Sequence, residues 1–242
     1  KNLALISLFS TLNVIFFIWG IQYTTASVSQ LIYALMPVIL VTVGKIFLKH
    51  TYSRMTIIGV LIGLFGLLYI IYLSSIEKGT TITGDLGGNL LIIIAMGGWL
   101  AYLLTSKHQS QHFSPFEISA VSVSVSTLIA LFLAGFEYAL TQKVMHTSPQ
   151  VLAASLYIGI GGTFLPYILF QYAVKHLSSL RVSMSSYLQP LVTVTLAMIF
   201  LGEQLTVHFL IGSILVFAGI FFSSTFDIIH KQRKKVPVTE PL

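Results

Sequence analysis

Residues 55–73 and 205–226 contain no Lys, Arg, Asp or Glu, and their apolar residues do not alternate. That is the feature that most restricts this chain. A helix needs roughly 20 mostly apolar residues to cross about 30 Å of hydrocarbon at about 1.5 Å per residue. Membrane-barrel strands would instead read as short alternating segments. Only 8% of the 242 residues are charged and 55% are hydrophobic, with mean hydropathy +0.90. A soluble domain carries about 25% charged residues to wet its surface. The sequence therefore predicts an all-α membrane protein.

Eight spans fit: 3–23, 28–48, 54–73, 87–106, 116–140, 151–174, 181–201 and 205–226. The breaks carry turn and charge signals: Lys45 to Arg54, Ser74 to Asp85, Lys107 to Pro115, Gln142 to Pro149 and Lys175 to Arg181. The shortest is Gly202-Glu203-Gln204. With both termini cytoplasmic, that side holds Lys1, Lys45, Lys49, Arg54, Lys107, Lys175, Arg181, Lys231, Arg233, Lys234 and Lys235, and the other holds only Lys78 and Lys143. Positive loops stay cytoplasmic, so the charge partition and the even span count support each other. The formal charge of +6 has the same origin, with His230 to Lys235 a basic end beside anionic headgroups rather than a nucleic-acid surface. This places the chain in the plasma (inner) membrane, with lipids as partners. The absence of cysteine removes disulfides and thiolate metal sites.

Displacing the chain by 153 residues superposes it on itself. Met36-Pro37-Val38 falls on Gln189-Pro190-Leu191, Ile46-Phe47-Leu48 on Ile199-Phe200-Leu201, Gly59 on Gly212 and Gly66 on Gly219. In the eight-span topology span 28–48 runs inward and 181–201 outward, so the repeats are inverted. Such a pair lets a transporter exchange equivalent inward-open and outward-open states; a scaffold or receptor, the alternative class, has no need of it. An intramembrane enzyme would need His, Asp or Glu clustered at depth, and the sequence shows no such cluster.

Ser183 to Pro190, Ile199-Phe200-Leu201-Gly202-Glu203, Phe209 to Ser213 and Gly219 resemble the EamA repeat of the drug/metabolite transporter superfamily. In the first repeat Lys49-His50 stands where the second has Gly202-Glu203. The resemblance implies a ten-helix plan of two inverted sets of five, of which residues 1–73 hold the last three helices of the first, 74–86 an external linker, 87–226 the complete second, and 227–242 a basic cytoplasmic tail. On that plan two helices precede Lys1. The resemblance also implies efflux of a solute.

No residue pattern calls for a cofactor. His108 and His112 are four apart, as two helical zinc ligands would be, but sit in a loop with no third ligand nearby. Neutral polar groups near the prolines are the better candidates, because Pro37 and Pro190 each free a backbone carbonyl at mid-span, which is tolerated where it lines a cavity. The candidate pathway is Gln30, Tyr33, Pro37, Trp99, Tyr102, Gln171, Ser186, Tyr187, Gln189 and Pro190, lying between the repeats. Trp99 and Tyr102 share a helix face, and Pro166 kinks the helix that carries Gln171. Such a lining suits a small neutral, zwitterionic or amphipathic metabolite. Gly59, Gly63 and Gly66 share a face suited to helix packing. A homodimer is compatible with all of this.

Overall fold

The computed structural model describes residues 2–47, 49–77, 85–142, 148–189, 191–192, 195–196, 199 and 207–235. Every regular element among them is helical. In chain order these are α1 (Asn2–Gly20), α2 (Ala26–Ala34), α3 (Met36–Ile46), α4 (Arg54–Glu77), α5 (Leu86–Gln109), α6 (Pro115–Thr141) and α7 (Pro149–Tyr157). A π-helical segment (Ile158–Phe164), α8 (Leu165–His176), α9 (Ser179–Ser183), a 3-10 turn (Met184–Tyr187) and α10 (Val207–Lys235) follow. Five stretches among the described residues are long and apolar enough to cross a bilayer, the third predicted span being continuous with a longer α4. The protein is a multi-pass helical membrane protein. The break at Gly202 to Gln204, Pro190, Lys78 and Lys143 lie outside the described residues.

The chain forms two compact units: Lys1–Trp19 with Leu91–Val182, and Gly20–Leu90 with Ser183–Leu242. Each draws helices from both halves of the sequence.

In the first unit α1 buries a polar side, Ser7, Ser10, Thr11 and Asn13, beside Ile6. Two of its hydroxyls bond back into the helix, Ser7 to the Leu3 carbonyl and Thr11 to the Ser7 carbonyl, both at 2.8 Å. Further bonds tie it to other helices: Ser10 shares a 3.0 Å hydrogen bond with Tyr167, Thr11 also shares one of 2.8 Å with Ser126, and the Asn13 amide donates to the Ala95 carbonyl at 2.9 Å. Where lipid is as apolar as leucine, such bonds and small residues hold helices together. Gly98 supplies the close approach, since a Cβ there would lie 2.7 Å from Leu12 and 3.1 Å from the Phe9 carbonyl.

α6 opens with Ser114 as N-cap, Pro115 in the first turn and Glu117 closing a capping box: the Glu117 carboxylate accepts from the Ser114 N–H at 2.7 Å, and the Ser114 hydroxyl accepts from the Glu117 N–H at 3.2 Å. The span predicted at 151–174 runs from Pro149 to His176 but is not uniformly α-helical. Pro166 has no N–H, and its ring would strike the carbonyl four residues back. The helix accommodates this by widening upstream, where the Leu165 N–H reaches the Ile160 carbonyl, five residues away. At the far end Lys107 caps α8, its ammonium donating to the carbonyls of Val174 at 2.7 Å, Leu177 at 2.8 Å and Lys175 at 3.2 Å. A cation there complements the negative end of the helix dipole.

The second unit is built on α4 and α10, which run antiparallel. A Cβ on Gly59 would lie 2.8 Å from the Gly219 carbonyl, and one on Gly66 would lie 2.9 Å from the Gly212 carbonyl. The 153-residue register exchanges these two contacts: Gly59 corresponds to Gly212 and Gly66 to Gly219, so the first pair maps onto the second. Gly63 against Gly219 maps in the same way onto Val216 against Gly66. The glycine face predicted for packing is thus a two-fold-related helix seam.

α10 continues past the predicted end at Phe226 to Lys235, so the basic run that reads from sequence as a solvated end is helical. Its 29 residues span about 43 Å, more than the roughly 30 Å of hydrocarbon.

Candidate functional site

Three of the predicted residues converge in the first unit. Trp99 and Tyr102, one turn apart on α5, have ring centroids 5.3 Å apart. Trp99 also meets Tyr167 at 5.8 Å and Phe170 at 4.6 Å, and Tyr102 stacks on Phe170 at 6.1 Å. Around this aromatic group pack Ile6, Ile118, Leu3, Phe9 and Phe113. Trp99 is half-buried, whereas Tyr102 and Gln171 are buried. The Gln171 amide donates to the Ser106 hydroxyl at 3.0 Å, across from α8 to α5.

The partners that complete the group, Tyr167, Phe170, Ser106 and Ser122, do not stand out in the sequence. Spacing carried part of the signal. Ser106 is four residues after Tyr102, and Tyr167 four before Gln171, so each lies on the helix face of a residue already singled out. Ser122, on a helix with serines at positions 119, 122, 124 and 126, had nothing to separate it from its neighbours.

The other described candidates belong to the second unit, grouped around two helix breaks. α2 ends at Ala34, Leu35 is a turn, and Pro37 lies in the first turn of α3. The 3-10 segment Met184–Tyr187 ends in a turn at Leu188. Leu35 and Leu188 are equivalent in the 153-residue register, so both repeats break at the same point, two residues before their proline. α2 and α3 both pack on the 3-10 segment, as does α4. Gln30 and Tyr33 are half-buried on α2, Pro37 is buried, and Gln189 is exposed. Ser186 donates to the Ser183 carbonyl at 2.9 Å. Tyr187 is fully buried, its hydroxyl donating to the Val60 carbonyl at 3.3 Å while its ring lies against Gly63. Pro190 lies outside the described residues.

The second unit also ties the segment after α1 to the start of α5 with polar contacts. Thr24 donates to the Asn89 side chain at 2.5 Å, and the Asp85 N–H donates to the Tyr23 carbonyl at 3.0 Å. His108 sits in the last turn of α5 and His112 in the turn beyond it. Among the described residues no group of three or more His, Cys, Asp or Glu comes within metal-holding range.

A bundle of apolar helices, with a repeat whose breaks and glycine seam are exchanged by one register, defines an inverted-repeat membrane protein. The chain belongs to the EamA-like transporter family, whose model matches residues 1–72 and 86–225. It is similar to an uncharacterized transporter of Clostridium kluyveri, 22% identical over 223 residues that make up 91% of this chain and 70% of that one. It is also similar to two uncharacterized transporters of Bacillus subtilis. YyaM is 24% identical, covering 92% of this chain and 72% of the relative, and YetK is 29% identical, covering 92% and 66%. A protein crystal structure shares the fold with a TM-score of 0.71 at 15% identity, covering 91% of this chain and 73% of that one. The function that follows at this level is membrane transport.

Proposed function

We propose that the protein is a secondary transporter that exports a small neutral, zwitterionic or amphipathic metabolite across the plasma (inner) membrane by alternating access. The observation that carries this reading is the register shared by the two helix breaks and the two glycine contacts. Repeats related by one register and oppositely directed favour two states of similar energy, and the conformational exchange between them is what a carrier needs. The choice of solute class rests on the candidate residues, which are aromatic or carry neutral hydrogen-bonding groups. A multiply charged ion would find no fixed countercharge among Trp99, Gln30, Tyr33 and Gln189. Export comes from the family resemblance. A cytoplasmic location of both termini of this chain comes from the eleven-to-two division of Lys and Arg.

The test is flux. Cells lacking the gene and cells expressing the full-length protein are loaded with a labelled metabolite panel, and the loss of each compound is followed with time. Export predicts faster loss of at least one neutral or zwitterionic compound from expressing cells, abolished by Trp99→Ala at equal protein level. Identical loss across the panel refutes transport of this class; faster accumulation instead of loss reverses the direction.

A further inference from the structure

The span from Pro149 to His176 is anchored at one end only. α8 is tethered three times: Tyr167 shares a 3.0 Å hydrogen bond with Ser10, the Gln171 amide donates to Ser106 at 3.0 Å, and Lys107 caps the last carbonyls. By contrast, every residue from Pro149 to Gly162 is exposed, around the whole circumference of the helix. A helix that faced lipid on one side would still bury the other against its bundle.

Between the two halves, at mid-span, lies the π-helical segment Ile158–Phe164. Three things soften it. Pro166 has no N–H for the Gly162 carbonyl four residues back, the Leu165 N–H bonds five residues back to Ile160, and Gly159, Gly161 and Gly162 have the least restricted backbone of any residue type. Packing does not call for these glycines. A Cβ on Gly159 would meet nothing within 4 Å, and one on Gly161 or Gly162 would meet only Tyr157 or Ile158 of its own helix, at 3.7 Å. Gly59, Gly66, Gly98, Gly212 and Gly219 differ, since at each a Cβ would lie within 3.0 Å of another helix. Nor does the repeat call for them. In the 153-residue register Gly159, Gly161, Gly162 and Pro166 fall on Ile6, Leu8, Phe9 and Asn13, in an α1 that is a single α-helix.

We propose that Gly159 to Gly162 form a hinge about which α7 swings while α8 stays fixed, and that α7 gates access to the aromatic group from that end of the span. Hinges are short segments that absorb the backbone change of a closure, and prolines, glycines and π-turns are where helices bend. Tyr167, which meets Trp99 at 5.8 Å, follows Gly162 by five residues, about 7.5 Å along a helix axis. The bend therefore lies just beyond the rings, on the side away from the Lys107 cap. Tilting α7 covers or uncovers the rings from that side and leaves the tethers of α8 intact. The gating role rests on the transport reading above; the hinge itself does not.

The experiment uses the full-length protein in lipid nanodiscs, spin-labelled at introduced cysteines. Labels at Leu152→Cys and Leu169→Cys, both exposed, report the distance across the hinge, and labels at Leu5→Cys and Ile18→Cys, also exposed, report along the unbroken α1. A hinge predicts a broader distance distribution across 152–169 than along 5–18, narrowing in Gly161→Ala/Gly162→Ala. Each Gly→Ala change in a helix interior favours the ordered form about fivefold, so the pair shifts the equilibrium about 20-fold. Neither new Cβ clashes, so the fold is kept. Pro166→Ala, which restores the missing N–H, narrows the distribution by a separate route. For a compound that the flux panel shows to be exported, the double-glycine variant slows turnover by up to about 20-fold at unchanged solute affinity. A distribution across 152–169 as narrow as along α1 overturns the hinge, and so does one that stays broad in both variants. A narrowed distribution with wild-type flux overturns the gate. If no compound moves, the gate falls with the transport reading and the distances alone decide the hinge.

Discussion

Gly219→Ala tests the seam of the second unit most directly. A Cβ at position 219 would lie 2.6 Å from both the Gly59 carbonyl oxygen and the Gly63 Cα, and also against the Gly63 nitrogen. Heavy atoms in contact prefer about 3.5–4.0 Å, so α4 and α10 must separate by about 1 Å. The atoms met are backbone, which has no rotamer by which to move aside. Overpacking costs about 1–3 kcal/mol, and a clash against rigid backbone belongs in the upper half of that range. Alanine returns up to about 1 kcal/mol in helix propensity. The net is a loss of about 1–2 kcal/mol. Gly135→Ala on α6 is the control, since nothing lies within 4 Å of its Cβ position; it keeps the propensity gain without the clash. The two variants, unfolded reversibly in mixed micelles, should differ by about 2–3 kcal/mol, more than a factor of 10 in the folding constant. Gly66→Ala, the register partner, should match Gly219→Ala, and the double variant should cost less than the sum because one separation relieves both clashes. If Gly219→Ala proves as stable as Gly135→Ala, the seam argument is wrong.

Lys107→Met removes three donations to the last carbonyls of α8. It should cost about 1–2 kcal/mol in unfolding assays and raise hydrogen exchange at the end of that helix; unchanged exchange there would contradict the cap. Ser114→Ala breaks the capping box at the start of α6 and should cost about 1 kcal/mol, with faster exchange of the first-turn amides as its local sign. Tyr187 and Gln189 should separate. Tyr187→Ala opens a cavity against Gly63 and should cost about 3–5 kcal/mol, with lower yield of folded protein. Gln189→Ala, at an exposed position, should leave folding within about 0.5 kcal/mol and change flux only. Unaltered flux for Gln189→Ala at normal expression would remove it from the proposed pathway.

Much of the protein could be read before any coordinates because the relevant physics is local. Twenty apolar residues must be helical in hydrocarbon whatever surrounds them, since each backbone N–H and C=O has to be bonded within its own segment. A proline interrupts that pattern wherever it stands, so Met36-Pro37 and its counterpart at Gln189-Pro190 mark helix breaks from sequence alone. Paired glycines on one face of residues 59–66 likewise announce a close neighbour, without naming it.

Which neighbour it is, only the tertiary structure decides. A helix that is apolar all round gives no moment to show which side faces protein and which faces lipid, so nothing in α4 by itself points to α10. The same holds for α5 and α8: Ser106 and Gln171 are 65 residues apart along the chain, and only packing brings their side chains within a hydrogen bond. The π-helical turn before Pro166 and the continuation of α10 into its basic end depend on how the backbone distributes strain and bonding along a whole helix. Hydrophobicity fixes the segments because it acts on each residue separately; their pairing is fixed by shape and hydrogen-bond geometry, which exist only once the segments are brought together.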